Sequence, residues 1–209
     1  MDVEFDRKTV TIDLLQDYST IFSGFQRTTK KQIKRAQNRY GLTLLVSNNG
    51  QKITDDFYAI YKDTMHKVHA IDYLYFNREY FENLLCLDGV QCFMAYMNGE
   101  PISSIITLQY GQYLHGHLGG TKSSCLTISP FSFLYNEIIK YGKKRNCECL
   151  HIGGGAGRSL EDAVLKYKLH FSSSLLDFHI GKKIHNLEIY NEVNKQWGNQ
   201  NPDKIEKYK

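Results

Sequence analysis

Three runs of similar length, Val90–Asn98, Glu100–Tyr110 and Gln112–Gly120, are separated only by the turn pairs Asn98-Gly99 and Tyr110-Gly111. Glycine-bearing turns between strand-length runs close antiparallel hairpins, so the middle of the chain is expected to be a three-stranded meander. The rest must be arranged around that sheet. Upstream, Thr9–Leu15 alternates β-branched and polar residues as a short strand, and Leu42–Ser47 is a strand ending in the turn Asn48-Asn49-Gly50. Helices are expected near Ile53–Ala70 and Asn77–Leu87. Downstream, Ser129 as N-cap and Pro130 at the first helical position open a helix whose stripe Phe131, Leu134, Ile138, Tyr141 buries one side. Cys147–Ile152 returns to the sheet and ends in three glycines, Gly153–Gly155. A capping box, Ser159 with Asp162, places the next helix start at about Ser159, with Val164, Tyr167 and Phe171 on its core face. Leu175–Ile180 is a last strand, Ile184–Trp197 an amphipathic closing helix, and the polar tail Gly198–Lys209 is expected to fray. This order predicts an α+β domain with a mixed, centrally antiparallel sheet flanked by helices over residues 1–183, and a C-terminal helix and tail over 184–209.

Charge is informative in one place. The net charge of +4 is spread over a chain with 22 acidic residues and says little about partners. The long helical candidate Ser19–Tyr40 is different. Phe22, Phe25, Thr29, Ile33, Ala36 and Tyr40 make its core stripe, and Arg27, Lys30, Lys31, Lys34, Arg35 and Arg39 cover the other side with no acidic residue among them. A solvated charged face usually carries Glu or Asp at i±4, so this face is a candidate for an anionic ligand, phosphate or nucleic acid.

Other chemistry is sparser. His115 and His117 stand two apart on one strand and share a face. His117, nearer the Gly119-Gly120 end, reads as either a general base or a packed imidazole. His66 and His69 lie one turn apart but have no third ligand at a recognisable spacing, so no metal is expected. Five cysteines without paired CxxC spacing indicate neither a disulfide framework nor a zinc cage, and Cys147 and Cys149 read as packing thiols. A reducing cytoplasmic setting is the simplest expectation. No signal peptide or bilayer-length apolar run is apparent. The serines lie in no G-x-S-x-G context, which leaves a serine hydrolase without support.

Three stretches together resemble a known family. Lys30-Lys31-Gln32-Ile33-Lys34-Arg35-Ala36 is similar to the basic helix of Fem-type (FemAB/FemX-like) aminoacyltransferases. His117-Leu118-Gly119-Gly120-Thr121 resembles their aromatic-Leu-Gly-Gly-Ser strand end. Leu150–Gly154, followed by Leu165-Lys166-Tyr167-Lys168-Leu169-His170-Phe171, looks like their Gly-Gly strand end and aromatic-Lys signature. The likeness runs from about Thr9 to Ile180, over the second of the family's two GNAT-like halves.

The resemblance implies a GNAT-like acyltransferase domain that forms an amide on an amine of a nucleotide- or lipid-linked peptidoglycan or glycan precursor. The donor would be aminoacyl-tRNA as co-substrate, with no metal and no bound cofactor. By the same resemblance Lys168, next to Tyr167, sits by the reacting carbonyl or substrate phosphates; for a base this sequence offers only His117, or the substrate's own groups. Lys30, Lys31, Lys34 and Arg35 would hold phosphates, while Gly119, Gly120, Gly153, Gly154 and Lys166 would lie along the substrate path. The family's first half has no counterpart in this sequence; a homodimer, a partner protein or a longer chain of which this is a piece would supply it. Two alternatives stay open. One is an acyl-CoA-dependent N-acyltransferase of the same fold, although Lys122–Ile128 lacks the Arg/Gln-x-x-Gly-x-Gly/Ala loop that holds a pyrophosphate. The other is a non-catalytic phosphate- or nucleic-acid-binding module.

Overall fold

A computed structural model describes residues 2–48 and 50–200. The three central runs form β3 (Val90–Met97), β4 (Glu100–Tyr110) and β5 (Tyr113–Thr121), paired antiparallel. Asn98 and Gly99 both take positive φ, +53° and +82°, the conformation that matches a tight hairpin to the twist of its strands. β2 (Thr43–Ser47) adds to β3, and β6 (Cys149–Gly154) pairs antiparallel with β1 (Asp2–Asp13). β5 and β6 run parallel, because α5 (Pro130–Lys144) carries the chain back across the sheet between them. With β7 (Leu175–Lys182) the order is β2-β3-β4-β5-β6-β1-β7. The mixed sheet and α+β class are as the sequence led us to expect.

Strand periodicity sorts the core into two layers. Phe93, Ile105, Leu114, Leu150 and Ile152 turn to the side of α5 and α2 (Arg27–Asn38), where Ile33, Leu134 and Ile138 meet them. Their neighbours Cys92, Met94 and Ile106 turn to the other side, against Phe57 of α3 (Gln51–Lys67) and Phe81 of α4 (Arg78–Leu85).

Several boundaries moved. The long helix Ser19–Tyr40 is two helices, α1 (Tyr18–Gly24) and α2, because Phe25 and Gln26 are extended. Phe25 turns into the core against Phe171, ring centroids 5.4 Å apart, and the Gln26 amide donates to the His170 carbonyl at 2.9 Å. These tertiary bonds outweigh the local helical pattern. The helix expected from Ser159 is α6 (Ala163–Lys168), capped by Asp162, whose carboxylate accepts the amides of Val164 and Leu165. Leu165, not Val164, is its buried residue. Ser129 precedes α5 as expected but is left-handed, φ +56°, and its side chain makes no cap bond. Of the turn Asn48-Asn49-Gly50, Asn49 lies outside the described residues. Of the tail expected to fray, 198–200 belong to α7 (Leu187–Gln200), and 201–209 lie outside the described residues.

The chain divides into two compact units, where the sequence suggested a boundary at 183/184. The larger is Arg7–Leu176 and contains every candidate site residue. The described part of the smaller comprises 2–6 and 177–200. In it Lys182 pairs with Glu4 at 2.5 Å, Phe5 meets His179 edge-on, and Leu187, Ile189 and Val193 of α7 are exposed. No helix among the described residues is long and apolar enough to cross a membrane.

The Asp162 cap gives a direct test of the α6 boundary. Asp162→Ala removes the acceptor for Val164 and Leu165, and for the Gly157 amide at 3.0 Å. It should cost about 1 kcal/mol of stability in urea unfolding, whereas Ser159→Ala should cost little. Equal costs would return the helix start to Ser159.

Candidate active site

The site is made by a local fault in the sheet. Ile105 of β4 faces Gly119 and Thr107 faces Gly116, so the single residue Ile106 stands against two, His117 and Leu118. This is a β-bulge in β5, and a bulge bends its strand and ends regular pairing. The β5–β6 ladder runs through Tyr113↔Cys149, Leu114↔Leu150 and His115↔His151. Beyond that last rung β6 continues along β1 as far as Thr9↔Gly154.

At the far end of β5 lies a cavity of about 300 Å³. Gly119, Gly120 and Thr121 form its floor, Thr64 and Lys67 of α3 one wall, Ser129, Pro130 and Phe131 at the start of α5 another, with Leu126 and Tyr167 closing it. The glycines are required by packing. A Cβ on Gly120 would lie 2.4 Å from Thr64 Oγ1 and 2.9 Å from the Ile60 carbonyl oxygen, and one on Gly119 would lie 2.6 Å from the Ser104 carbonyl oxygen. Because no side chain caps α5, the positive end of a 15-residue helix meets the rim beside Lys67, an arrangement that favours a negatively charged group.

Tyr167 is fixed from behind. Ser132 Oγ donates to Gln32 Oε1 at 2.9 Å, so the Tyr167 hydroxyl, 3.1 Å from Ser132 Oγ, is the donor in that contact. Burial pushes its phenol up to about 12, and it stays protonated at neutral pH.

The next residue, Lys168, faces a different set of groups. Its ammonium donates to the Gly154 carbonyl at 2.7 Å, and burial lowers it to about 8 against the pull of Asp162. Gly153 is left-handed, φ +80°, and a Cβ there would lie 3.1 Å from Lys168 Nζ. At the last β5–β6 rung the imidazoles of His115 and His151 lie edge to edge and nearly coplanar, centroids 4.8 Å and planes 22° apart, with their Nδ1 atoms 2.7 Å apart. Burial, then the neighbouring imidazoles and Lys168, hold His115 down to about 4. Burial and then Lys168 lower His151 as well. His117 is exposed, its ring 5.9 Å from that of His115 and its Nε2 3.4 Å from the Tyr80 hydroxyl.

The structure thus brings Gly119, Gly120 and Tyr167 to one cavity, and sets Lys168 with Gly153, Gly154 and the histidines beside it. It leaves others apart. Lys30 donates to the Ser23 carbonyl at 2.7 Å, and Arg35 donates to the Tyr40 hydroxyl at 3.0 Å, so both are engaged within the fold. Lys31 and Lys34 are exposed on α2, and Lys166 is exposed and paired with Glu161. His66 packs edge-on against Tyr75, and the described residues contain no cluster of three or more metal-ligating side chains. Burial raises the thiols of Cys147 and Cys149, as expected for packing cysteines.

Sequence reasoning missed Thr64, Lys67, Gln32, Ser132 and His151, and noted His115 only as sharing a strand face with His117. His151 had a legible signal, as the histidine two residues before the glycine run. Its pairing with His115 depends on strand register, which the sequence does not print.

A bulged strand end and an uncapped helix start meet at one cavity, on a mixed sheet whose β5 and β6 run parallel, and this arrangement is that of an N-acyltransferase-type domain. The chain belongs to the acetyltransferase (GNAT) domain family, whose model matches residues 23–168. No curated protein sequence matches it significantly. Among solved structures it is similar to FemX, with a TM-score of 0.69 at 12% identity, covering 91% of this chain and 64% of that one. It is also similar to L-PGS from Bacillus licheniformis, with a TM-score of 0.63 at 11% identity over 93% and 66% of the two chains. The C-terminal domain of a putative lysylphosphatidylglycerol synthetase from Agrobacterium fabrum matches with a TM-score of 0.63 at 12% identity over 85% and 60%. At these identities the likeness is one of fold, and the chain spans 60 to 66% of the length of these structures. Within the GNAT family the fold is Fem-like.

Proposed function

We propose that this chain transfers an acyl or aminoacyl group from an activated ester to a primary amine, forming an amide, and that the amine belongs to a cell-envelope precursor, peptidoglycan or glycan. The observation that carries this reading is the cavity at the bulged end of β5, with a helix start and Lys67 at its rim and Lys168 one residue from its Tyr167 wall. The helix start and Lys67 suit the phosphate-bearing part of a donor. Lys168, lowered to about 8, exists in both protonation states near neutral pH, so it can accept a proton from the attacking amine and return one to the leaving oxygen. Tyr167, with its one hydroxyl proton donated to Ser132, is a fixed wall whose oxygen can only accept, and His117 lies on the exposed side of the strand.

One local feature favours an aminoacyl ester over acyl-CoA as donor. In the loop after β5, where a pyrophosphate would need free amides, the Ser123 amide and hydroxyl both donate to the Asp63 carboxylate, at 2.6 and 2.9 Å. A carboxylate already seated there opposes a second anion. Acyl-CoA remains the alternative donor because the start of α5 carries no cap. Lys31 and Lys34, exposed on α2, would add backbone contacts to a tRNA donor.

A thermal-shift comparison of charged tRNA, coenzyme A, acetyl-CoA and nucleotide-linked muropeptide tests the donor and the acceptor. Charged tRNA and muropeptide are expected to raise the melting temperature, and stabilisation by acetyl-CoA alone would sink the aminoacyl reading. Lys31→Ala combined with Lys34→Ala should weaken tRNA binding and reduce the slope of log affinity against log salt by roughly two. An unchanged slope removes α2 from the donor site.

A further inference from the structure

Amide formation from an ester releases a proton that has to go somewhere. An acceptor amine reaches the site at neutral pH as an ammonium. As the C–N bond forms and the ester C–O bond breaks, one nitrogen proton stays on the amide, one goes to the leaving oxygen, and one is left over. We propose that His151, His115 and His117 form a relay that takes this last proton from Lys168 at the end of the β5–β6 ladder and delivers it to solvent beside Tyr80. The proposal rests on the acyl-transfer reading above.

The geometry supplies the mechanism. The Nδ1 atoms of His115 and His151 are 2.7 Å apart, so one must carry hydrogen and the other a lone pair. The two rings therefore hold opposite tautomers. A proton arriving at the bare Nε2 of the donor ring makes that ring a cation, its Nδ1 proton crosses to the partner, and the partner gives up the proton on its own Nε2. The pair passes a proton without either ring moving, and the next passage needs only the return of the tautomers. His117 continues the row on the same side of β5, its ring 5.9 Å from His115, and its Nε2 meets the Tyr80 hydroxyl of α4 at the exposed end. The row is thus sheltered at Lys168 and open at His117.

The charges around it suit passage rather than storage. The Lys168 ammonium, held on the Gly154 carbonyl, acts through space on both rings of the pair, with Asp162 at the cap of the same helix. From β1 the Arg7 guanidinium donates to the Gly155 carbonyl at 3.1 Å, and Cys149 precedes His151 on β6. Burial and the Lys168 ammonium disfavour charge on either ring of the pair, so a proton entering is not held.

Two arms of one experiment test this on the full chain. In the first, initial rates are measured at pH 7 in dilute non-imidazole buffer for the unaltered chain, His115→Ala, His151→Ala and the polar control His151→Gln. Each variant should fall by roughly tenfold or more and recover as free imidazole is added, because a small base can replace a missing relay group but cannot repair a misfolded sheet. Unchanged rates, or losses that imidazole does not restore, overturn the relay. The second arm needs no substrate. Ring 15N spectra of the unaltered chain should show one Nδ1–H and one Nε2–H tautomer that persist as pH falls through 6. Two rings that each titrate independently near 6.5 also overturn it. If the unaltered chain transfers nothing while the paired tautomers are seen, the parent reading has failed and takes the relay with it. That result is distinct from a working enzyme whose histidines do not matter.

Discussion

Lys168→Met is expected to lower transfer by about 10²- to 10⁴-fold, the range typical of losing a positioned acid–base group. Methionine keeps most of the length of the side chain and fills the same half-buried space, so packing changes little while the proton carrier is removed. The same substitution should alter stability in a way that sets it apart from a folding defect. The ordinary lysine value of 10.5 applies to the unfolded chain, and burial lowers the folded value to about 8. Between these values the unfolded state binds more protons than the folded one, so stability from this group rises with pH across that window. The penalty is fully present below about 8 and disappears above 10.5. It amounts to on the order of 1–3 kcal/mol after screening by the solvent that reaches a half-buried group. The unaltered chain should therefore gain on Lys168→Met as pH rises from 8 to 10.5, measured as the difference in urea midpoints. A variant that keeps its rate within a few-fold would remove Lys168 from the chemistry. A flat stability difference would mean the ammonium is better solvated than its surroundings indicate.

Gly120→Ala is expected to have the largest effect on the scaffold of the site. The added Cβ would sit 2.4 Å from Thr64 Oγ1 and 2.9 Å from the Ile60 carbonyl oxygen. The threonine cannot simply rotate away. Its hydroxyl donates to Ile60 O at 2.9 Å and accepts the Thr121 amide at 3.0 Å, tying α3 to the end of β5. Relief requires α3 to lift from the sheet, and α3 carries Thr64 and Lys67 of the cavity wall. The cost should be about 1–3 kcal/mol in denaturant unfolding, with donor affinity falling as the wall moves. The matched control is Gly157→Ala, where the nearest neighbour of the new Cβ is Asp162 Oδ2 at 3.7 Å, an ordinary contact. Equal costs at the two glycines would show that the Gly120 contact is not a constraint.

Much of the frame was legible because it depends on local periodicity and turn chemistry. Asn98-Gly99 and Tyr110-Gly111 bound the meander, and the glycine run after Ile152 marked where β6 ends. The Fem-like resemblance rested on three short stretches, and two of them converge: Gly119 and Gly120 from one, and Gly153, Gly154 and the Tyr167-Lys168 pair from the other. The basic helix shows the limit of such reading. Lys30, Lys31, Lys34 and Arg35 form an unbroken cationic run, yet the fold commits two of the four to Ser23 and Tyr40. Whether a surface cation is free depends on what the preceding and following elements place beside it, and one helix's sequence does not contain that information.

Taken alone, the sequence determined the order and type of most strands and helices, where the central strands must turn, and that glycines stand at two strand ends. Those outcomes follow from side-chain period and φ preference within a few residues. The tertiary structure decided the rest. It set two residues of β5 against one of β4, turned Tyr167 to the cavity and Lys168 to the histidines, and joined His115 to His151 across a parallel rung. These features depend on register between segments 36 residues apart for the histidines, set by packing both sheet faces at once. A one-residue slip would send the whole row to the opposite face.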